Sequence, residues 1–163
     1  MNEERLNHFD EKGHAVMVDV SEKNVTERKA IARGTIYVTR KVYDAIVSGT
    51  VEKGDVLGTA RIAGIMAVKQ TPHLIPLCHP IPLTKAVVDF ELHEEALAVD
   101  AVCTVKSKSY TGVEMEALTG VSVTLLTIFD MCKAFGKDMR IGEIHVEMKS
   151  GGKSGTYIWE GAK

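Results

Sequence analysis

Prolines limit this chain's fold more than any other feature. Three of its four lie in Leu74-Ile75-Pro76-Leu77-Cys78-His79-Pro80-Ile81-Pro82, and Pro72 stands just before. Proline restricts φ and has no backbone donor, so neither a helix interior nor a central strand accommodates that density. Yet Leu74, Ile75, Leu77 and Ile81 are apolar, unlike the residues of a solvated loop. The stretch reads as a stiff, partly buried connector that presents Cys78 and His79.

Regular elements are predicted on both sides of it. Residues 1–29 are polar apart from the island Ala15-Val16-Met17-Val18-Asp19-Val20, and read as an N-terminal arm. Ala30–Val38 reads as a strand that is β-branched towards its end. Thr39 and Gly49 are start and stop signals for a short helix. A second helix is expected from near Asp55 to near Gln70, ended by Pro72. Beyond the connector, Ala86–Leu92 and Leu97–Val105 alternate around His93-Glu94-Glu95, which predicts a β-hairpin. A long helix over Gly112–Phe135 and a strand over Ile141–Lys149 follow, then a glycine-rich loop and tail at 150–163. Strand, helices, strand, strand, helix, strand is the β-α-β-β-α-β order of an α+β, ferredoxin-like fold, an antiparallel sheet with helices packed on one face. Residues 1–163 are read as a single domain, since 163 residues supply one core.

The net charge of −2 gives no general attraction to nucleic acid or membrane surface. No apolar run reads as membrane-spanning, and the start carries no signal-peptide organisation, so a cytoplasmic protein is expected. Cys78, Cys103 and Cys132 are odd in number and lack C-x-x-C spacing, which argues against disulfides and structural zinc.

On the long helix, Ala117, Leu118, Val121, Leu125, Ile128, Phe129, Cys132 and Phe135 form a core-facing stripe. Glu116, Gly120, Val123, Thr127 and Asp130 lie opposite, with Lys133 one turn beyond and Glu114 just before the helix. That second stripe fits a functional face, and equally a solvated one with a capping carboxylate and an i,i+3 ion pair. Lys53 reads equally as a loop charge, His79 as a structural histidine and Cys78 as a small hydrophobe. Lys149-Ser150-Gly151-Gly152-Lys153-Ser154-Gly155 lacks the spacing of a nucleotide-hydrolase phosphate loop. Its backbone N–H groups and two lysines still suit a phosphate, as they also suit a flexible tail.

Taken together, four motifs resemble one family. They are Leu74–Pro80, Thr111–Thr119, Asp130–Ala134 and Lys149–Gly155, supported by Met17–Val20 and Thr59–Ile65. The chain resembles the molybdenum-cofactor biosynthesis protein C family, the cyclic pyranopterin monophosphate synthases. The resemblance implies a phosphorus–oxygen lyase that rearranges a cyclised guanosine triphosphate derivative, supplied by a radical GTP cyclase, and releases diphosphate. It places catalytic roles on Asp130, Lys53, Lys133, His79, Glu114 and Lys149, and substrate contacts on Leu77, Cys78, His79, Met115 and Glu116. Asp130 would be the active-site acidic residue, with Lys53 and Lys133 as the general acid/base pair. No metal and no cofactor are expected. Arg61, Lys69 and Lys153 are further candidates to hold phosphate.

Glu116 and Asp130 are fourteen residues apart, ~21 Å along a helix. A site shared between subunits is therefore expected, in keeping with the family's homohexamers, trimers of dimers. A non-catalytic small-molecule-binding module of the same fold is the other class open, since fold does not dictate function. An RNA-binding version would show aromatics and basic residues on the central strands, whereas Phe90 stands between Asp89 and Glu91.

Overall fold

The computed structural model describes residues 9–161 except position 11. Five strands and three helices follow in the order β1 (Thr26–Tyr37), α1 (Arg40–Ser48), α2 (Val56–Leu74), β2 (Leu83–His93), β3 (Ala98–Ser109), α3 (Glu114–Cys132), β4 (Arg140–Ser150) and β5 (Tyr157–Ile158). The sheet runs β2-β3-β1-β4-β5, and every neighbouring pair is antiparallel. Its first four strands have the ferredoxin-like order, as the alternation of elements predicted. β5 adds a short edge to β4, pairing Tyr157 with Lys149 and Ile158 with Met148.

α2 and α3 pack on each other and on one face of the sheet. Ala30, Ala32 and Ile36 of β1 and Val99, Ala101, Cys103 and Val105 of β3 point at them, all fully buried. Alternation along both strands produces that face. α1 adds Val42, Tyr43, Ala45 and Ile46 to the same core. Its ends are those expected: the Thr39 hydroxyl accepts from the Val42 N–H at 3.3 Å, and Gly49 takes φ 67°. On the helix-free face, Arg33 donates to Glu91, Asp100 and Glu147 at 2.7–3.0 Å.

Two boundaries, the apolar length of one helix and one face differ from expectation. β1 begins at Thr26, inside the predicted arm, because Thr26–Lys29 pair with Lys106–Ser109 of β3. Backbone pairing needs no apolar alternation, so composition gives no sign of it. α2 runs past Pro72 to Leu74. A proline disturbs the turn before it, orphaning the carbonyl four residues back, here that of Val68. The buried Thr71 hydroxyl donates to that oxygen at 3.1 Å, and the Ile75 N–H to Thr71 resumes the ladder at 2.9 Å. α3 is apolar and long enough to cross a membrane by composition and length, contrary to expectation, but half of it is buried inside this fold.

The second stripe of α3 is largely a helix–helix contact. Glu116 and Gly120 are buried with Thr124, and only the end at Asp130 is exposed. At Gly120 a Cβ would lie 2.7 Å from both Cys103 Sγ and Val68 Cγ2. At Gly64 it would lie 3.0 Å from the Gly120 carbonyl oxygen and strike the Thr124 hydroxyl. Small residues let α2 approach α3 there, and so bring the connector after α2 up to the start of α3.

Candidate active site

At the C-terminal end of α3, Asp130 sits between two ammonium groups. Lys133 Nζ lies 2.6 Å from Asp130 Oδ1, and Lys53 Nζ lies 3.2 Å from Oδ2. Lys53 also donates to the Asp130 backbone oxygen at 2.9 Å, at the negative end of the helix dipole. The loop carrying Lys53 is anchored by buried Val51 and turned by Gly54, whose φ is 94°. Lys133 first, then Lys53, hold the Asp130 carboxyl below its usual range. All three side chains are about half exposed, so an anionic ligand can reach both cations.

The start of α3 offers a different chemistry. Glu116 is 3% exposed. Burial pushes its carboxyl up to about 7, with Glu114 adding to the effect, so the group exchanges a proton near neutrality. Cys78 in the connector is raised by burial and then by Glu116, so it remains a thiol and no activated nucleophile. Glu116 also lines a pocket of about 330 Å³ with Lys69, His73, Pro80 and Ile81. His79 Nε2 lies 2.8 Å from the Val18 carbonyl oxygen. Met115 is partly exposed beside these groups in sequence.

A larger cleft of about 940 Å³ opens beside the glycine loop. Lys23, Arg28, Lys29, Lys149 and Lys153 line it, with Asp19, Glu22 and Glu114 as the opposing charges. Gly151 and Gly152 hold φ of 98° and 74°, and fold the loop against Glu27 and Arg28. Lys149 donates to the Ser154 hydroxyl within the loop. Arg28 also donates to the Tyr110 carbonyl at 3.1 Å, tying the ends of β1 and β3 to this wall. Five cations against three carboxylates, beside a loop of positive-φ glycines, suit an anionic group such as phosphate.

Sequence reasoning therefore names residues that fall into three groups: Lys53 with Asp130 and Lys133; Glu114 with Lys149 and Lys153; and Cys78 with Glu116. His79 joins none of these by a hydrogen bond, its bond being to the arm. Lys69 lies in the smaller pocket, and Arg61 lies over the Phe90 ring at 5.5 Å, outside the large cleft. Arg28 and Lys29 went unnoticed because their segment was read as arm; the basic pair before an apolar strand was the available signal. α3 is continuous over 19 residues, and puts the Asp130 cluster ~24 Å along the helix from Glu114 and ~21 Å from Glu116.

An α+β scaffold with a lysine–aspartate–lysine cluster and a cationic, glycine-walled cleft suits a small-molecule enzyme with a phosphate-bearing substrate. Comparison with known proteins makes it particular. The MoaC family model matches residues 17–152. A cyclic pyranopterin monophosphate synthase of Clostridium botulinum is 58% identical over 97% of this chain and 99% of its own. Those of Clostridium perfringens and Campylobacter lari are 56% and 50% identical, each over 94% of this chain and 97% and 98% of their own. The chain belongs to the MoaC family.

Proposed function

We propose that the chain is a cyclic pyranopterin monophosphate synthase of molybdenum-cofactor biosynthesis. It converts a cyclised guanosine triphosphate derivative into cyclic pyranopterin monophosphate and diphosphate. The observation that carries this reading is identity over nearly the whole length of both chains with synthases of that name.

The geometry suits the chemistry. Forming the cyclic phosphate requires a substrate hydroxyl to attack the α-phosphorus while the bond to the β-phosphate breaks. The hydroxyl proton needs an acceptor, and the departing diphosphate needs cations. Lys149, Lys153 and Arg28 hold the triphosphate, with Glu114 at the same cleft. Lys53 and Lys133 move protons beside Asp130, which keeps both ammonium groups at one place. Glu116, with Leu77, Cys78 and Met115, contacts the ring system, and its near-neutral carboxyl can give or take a proton there.

One substrate cannot span the ~21–24 Å of α3 between Glu116 or Glu114 and Asp130 on a single chain, so the reading includes a site shared between subunits. Exposed Ile62, Met66 and Leu126, 58–63% accessible, are apolar surface of the kind that subunits bury. The family's homohexamer, a cytoplasmic location and supply by a radical GTP cyclase complete the reading. The deciding experiment is turnover of the cyclised guanosine triphosphate derivative, followed by diphosphate release. Wild type should turn over, whereas Asp130→Ala and Lys53→Ala should be folded and inactive. Full activity in both variants would sink the assignment. Stoichiometric binding without diphosphate release by wild type would identify a binding module instead.

A further inference from the structure

Buried polar side chains hold their place in a fold by finding hydrogen-bond partners, and one here has none. Among the described residues, Thr26 Oγ1 is the one buried side-chain nitrogen or oxygen without a partner. Thr26 opens β1 and lies directly opposite Ser109 of β3. The Ser109 hydroxyl does not serve it, donating instead to the Thr111 carbonyl at 2.7 Å. An unmet hydroxyl out of water costs stability. Valine has the same branched shape, avoids that cost and suits a strand equally well. The fold of the free chain therefore does not explain the hydroxyl.

Its position supplies a reason. Thr26 lines the 940 Å³ cleft together with Arg28, Lys149 and the glycine loop. Alternation puts Thr26 and Arg28 on the side of β1 that Ala30 turns to the helices, and Lys149 of β4 sits opposite Ala30. One side of two paired strands thus gives the cleft a hydroxyl and two cations. The cations are partly committed already. Arg28 Nε and Nη2 donate to the Ser109 and Tyr110 carbonyls at 3.4 and 3.1 Å, and Lys149 donates to the Ser154 hydroxyl. The Thr26 donor is uncommitted. A turn about χ1 exchanges hydroxyl and methyl, so the oxygen can leave its buried position without backbone movement. A hydroxyl beside cations suits a phosphate oxygen, adding a directed bond to their charge.

We propose that Thr26 is a further binding residue of the phosphate cleft: its unpartnered hydroxyl donates to a phosphate oxygen of the substrate. This rests on the synthase reading for the identity of the substrate, and on the cleft alone for the phosphate. The free chain carries the unmet hydroxyl, and the ligand satisfies it.

Thr26→Val in the full chain tests it, because the change removes the hydroxyl and keeps the shape. Inorganic tripolyphosphate, titrated calorimetrically, is the probe. Its Kd should rise roughly tenfold or more in Thr26→Val, as for a lost hydrogen bond to a charged group. Thr26→Ser keeps the hydroxyl and should bind nearly as wild type does. Without ligand, Thr26→Val should melt at a higher temperature than wild type, since the unmet hydroxyl is gone. In turnover of the cyclised guanosine triphosphate derivative, Thr26→Val should raise KM by a similar factor and change kcat less. Unchanged tripolyphosphate affinity in Thr26→Val, equal weakening in Thr26→Ser, or a loss confined to kcat would overturn the proposal. So would a lower melting temperature of Thr26→Val without ligand, which would show the hydroxyl already bonded in the free chain. Wild type that fails to bind tripolyphosphate would overturn it too. Wild type that binds tripolyphosphate but does not turn over would sink the synthase reading and leave this one standing.

Discussion

Replacing Glu116 by glutamine should stabilise the protein at alkaline pH relative to acid, which tests whether the start of α3 holds a carboxyl the fold prefers neutral. Glu116 is buried in the first turn, and desolvation raises it from an ordinary 4.5 to about 7. Because the folded value lies above the unfolded one, the folded chain binds the proton more tightly. This group's contribution is then most favourable below about pH 4.5 and is lost as pH rises through about 7. The two values give a penalty of about 1 kcal/mol near pH 5 and about 3 kcal/mol near pH 8.5. Glutamine keeps the shape and does not titrate. Its stability relative to wild type should therefore improve by about 2.5 kcal/mol between those conditions. Urea unfolding of both proteins at one concentration measures it, and the other titrating groups cancel in the difference. A difference independent of pH to within about 0.5 kcal/mol, or one that grows in favour of wild type, would refute a protonated Glu116.

Gly64→Ala should destabilise by about 1–3 kcal/mol in thermal or urea unfolding, since the added methyl strikes Thr124 and the Gly120 carbonyl. Unchanged stability would mean that α2 and α3 do not meet as closely as described. Arg28→Ala should raise KM at least about tenfold with a smaller effect on kcat, given the strength of hydrogen bonds to charged groups. Wild-type KM should rise with ionic strength for the same reason; salt-independent KM would count against a phosphate in the cleft. Mixing inactive Asp130→Ala and Glu114→Ala proteins should restore turnover by making some sites with both intact ends. No recovery after demonstrated subunit exchange would place both residues in one chain's site.

Much of the architecture was legible in residue patterns. Thr39 and Gly49 bounded α1 as written, and alternation found the hairpin of β2 and β3. The second stripe of α3 was misread for a physical reason. A row of small residues with a carboxylate at one end suits water, but it equally suits a neighbouring helix at close range. Periodicity reports which residues share a face and says nothing of what covers it. Pro72 misled because the remedy for its orphaned carbonyl is a side-chain hydroxyl one residue earlier, outside any start or stop signal. Arg28 escaped because β1 continues by pairing where apolar alternation has already ended.

The candidate site was legible as a set of residues but not as a geometry. Asp130 and Lys133 were a pair by spacing alone, whereas Lys53 joins them from seventy-seven residues away across the fold. The same long helix that makes the pattern readable keeps the site's parts apart. Its C-terminal end gathers ammonium groups around a carboxylate, and its N-terminal end gathers a carboxyl raised by burial, a thiol and the cationic cleft. A shorter or kinked α3 could bring these ends to one small substrate within a single chain. α3 runs unbroken over 19 residues, and its middle is occupied by Gly120 and Thr124 against α2. The proposed sharing of the site with a second copy would join these ends, and the exposed apolar residues Ile62, Met66 and Leu126 of α2 and α3 are surface such a copy could bury.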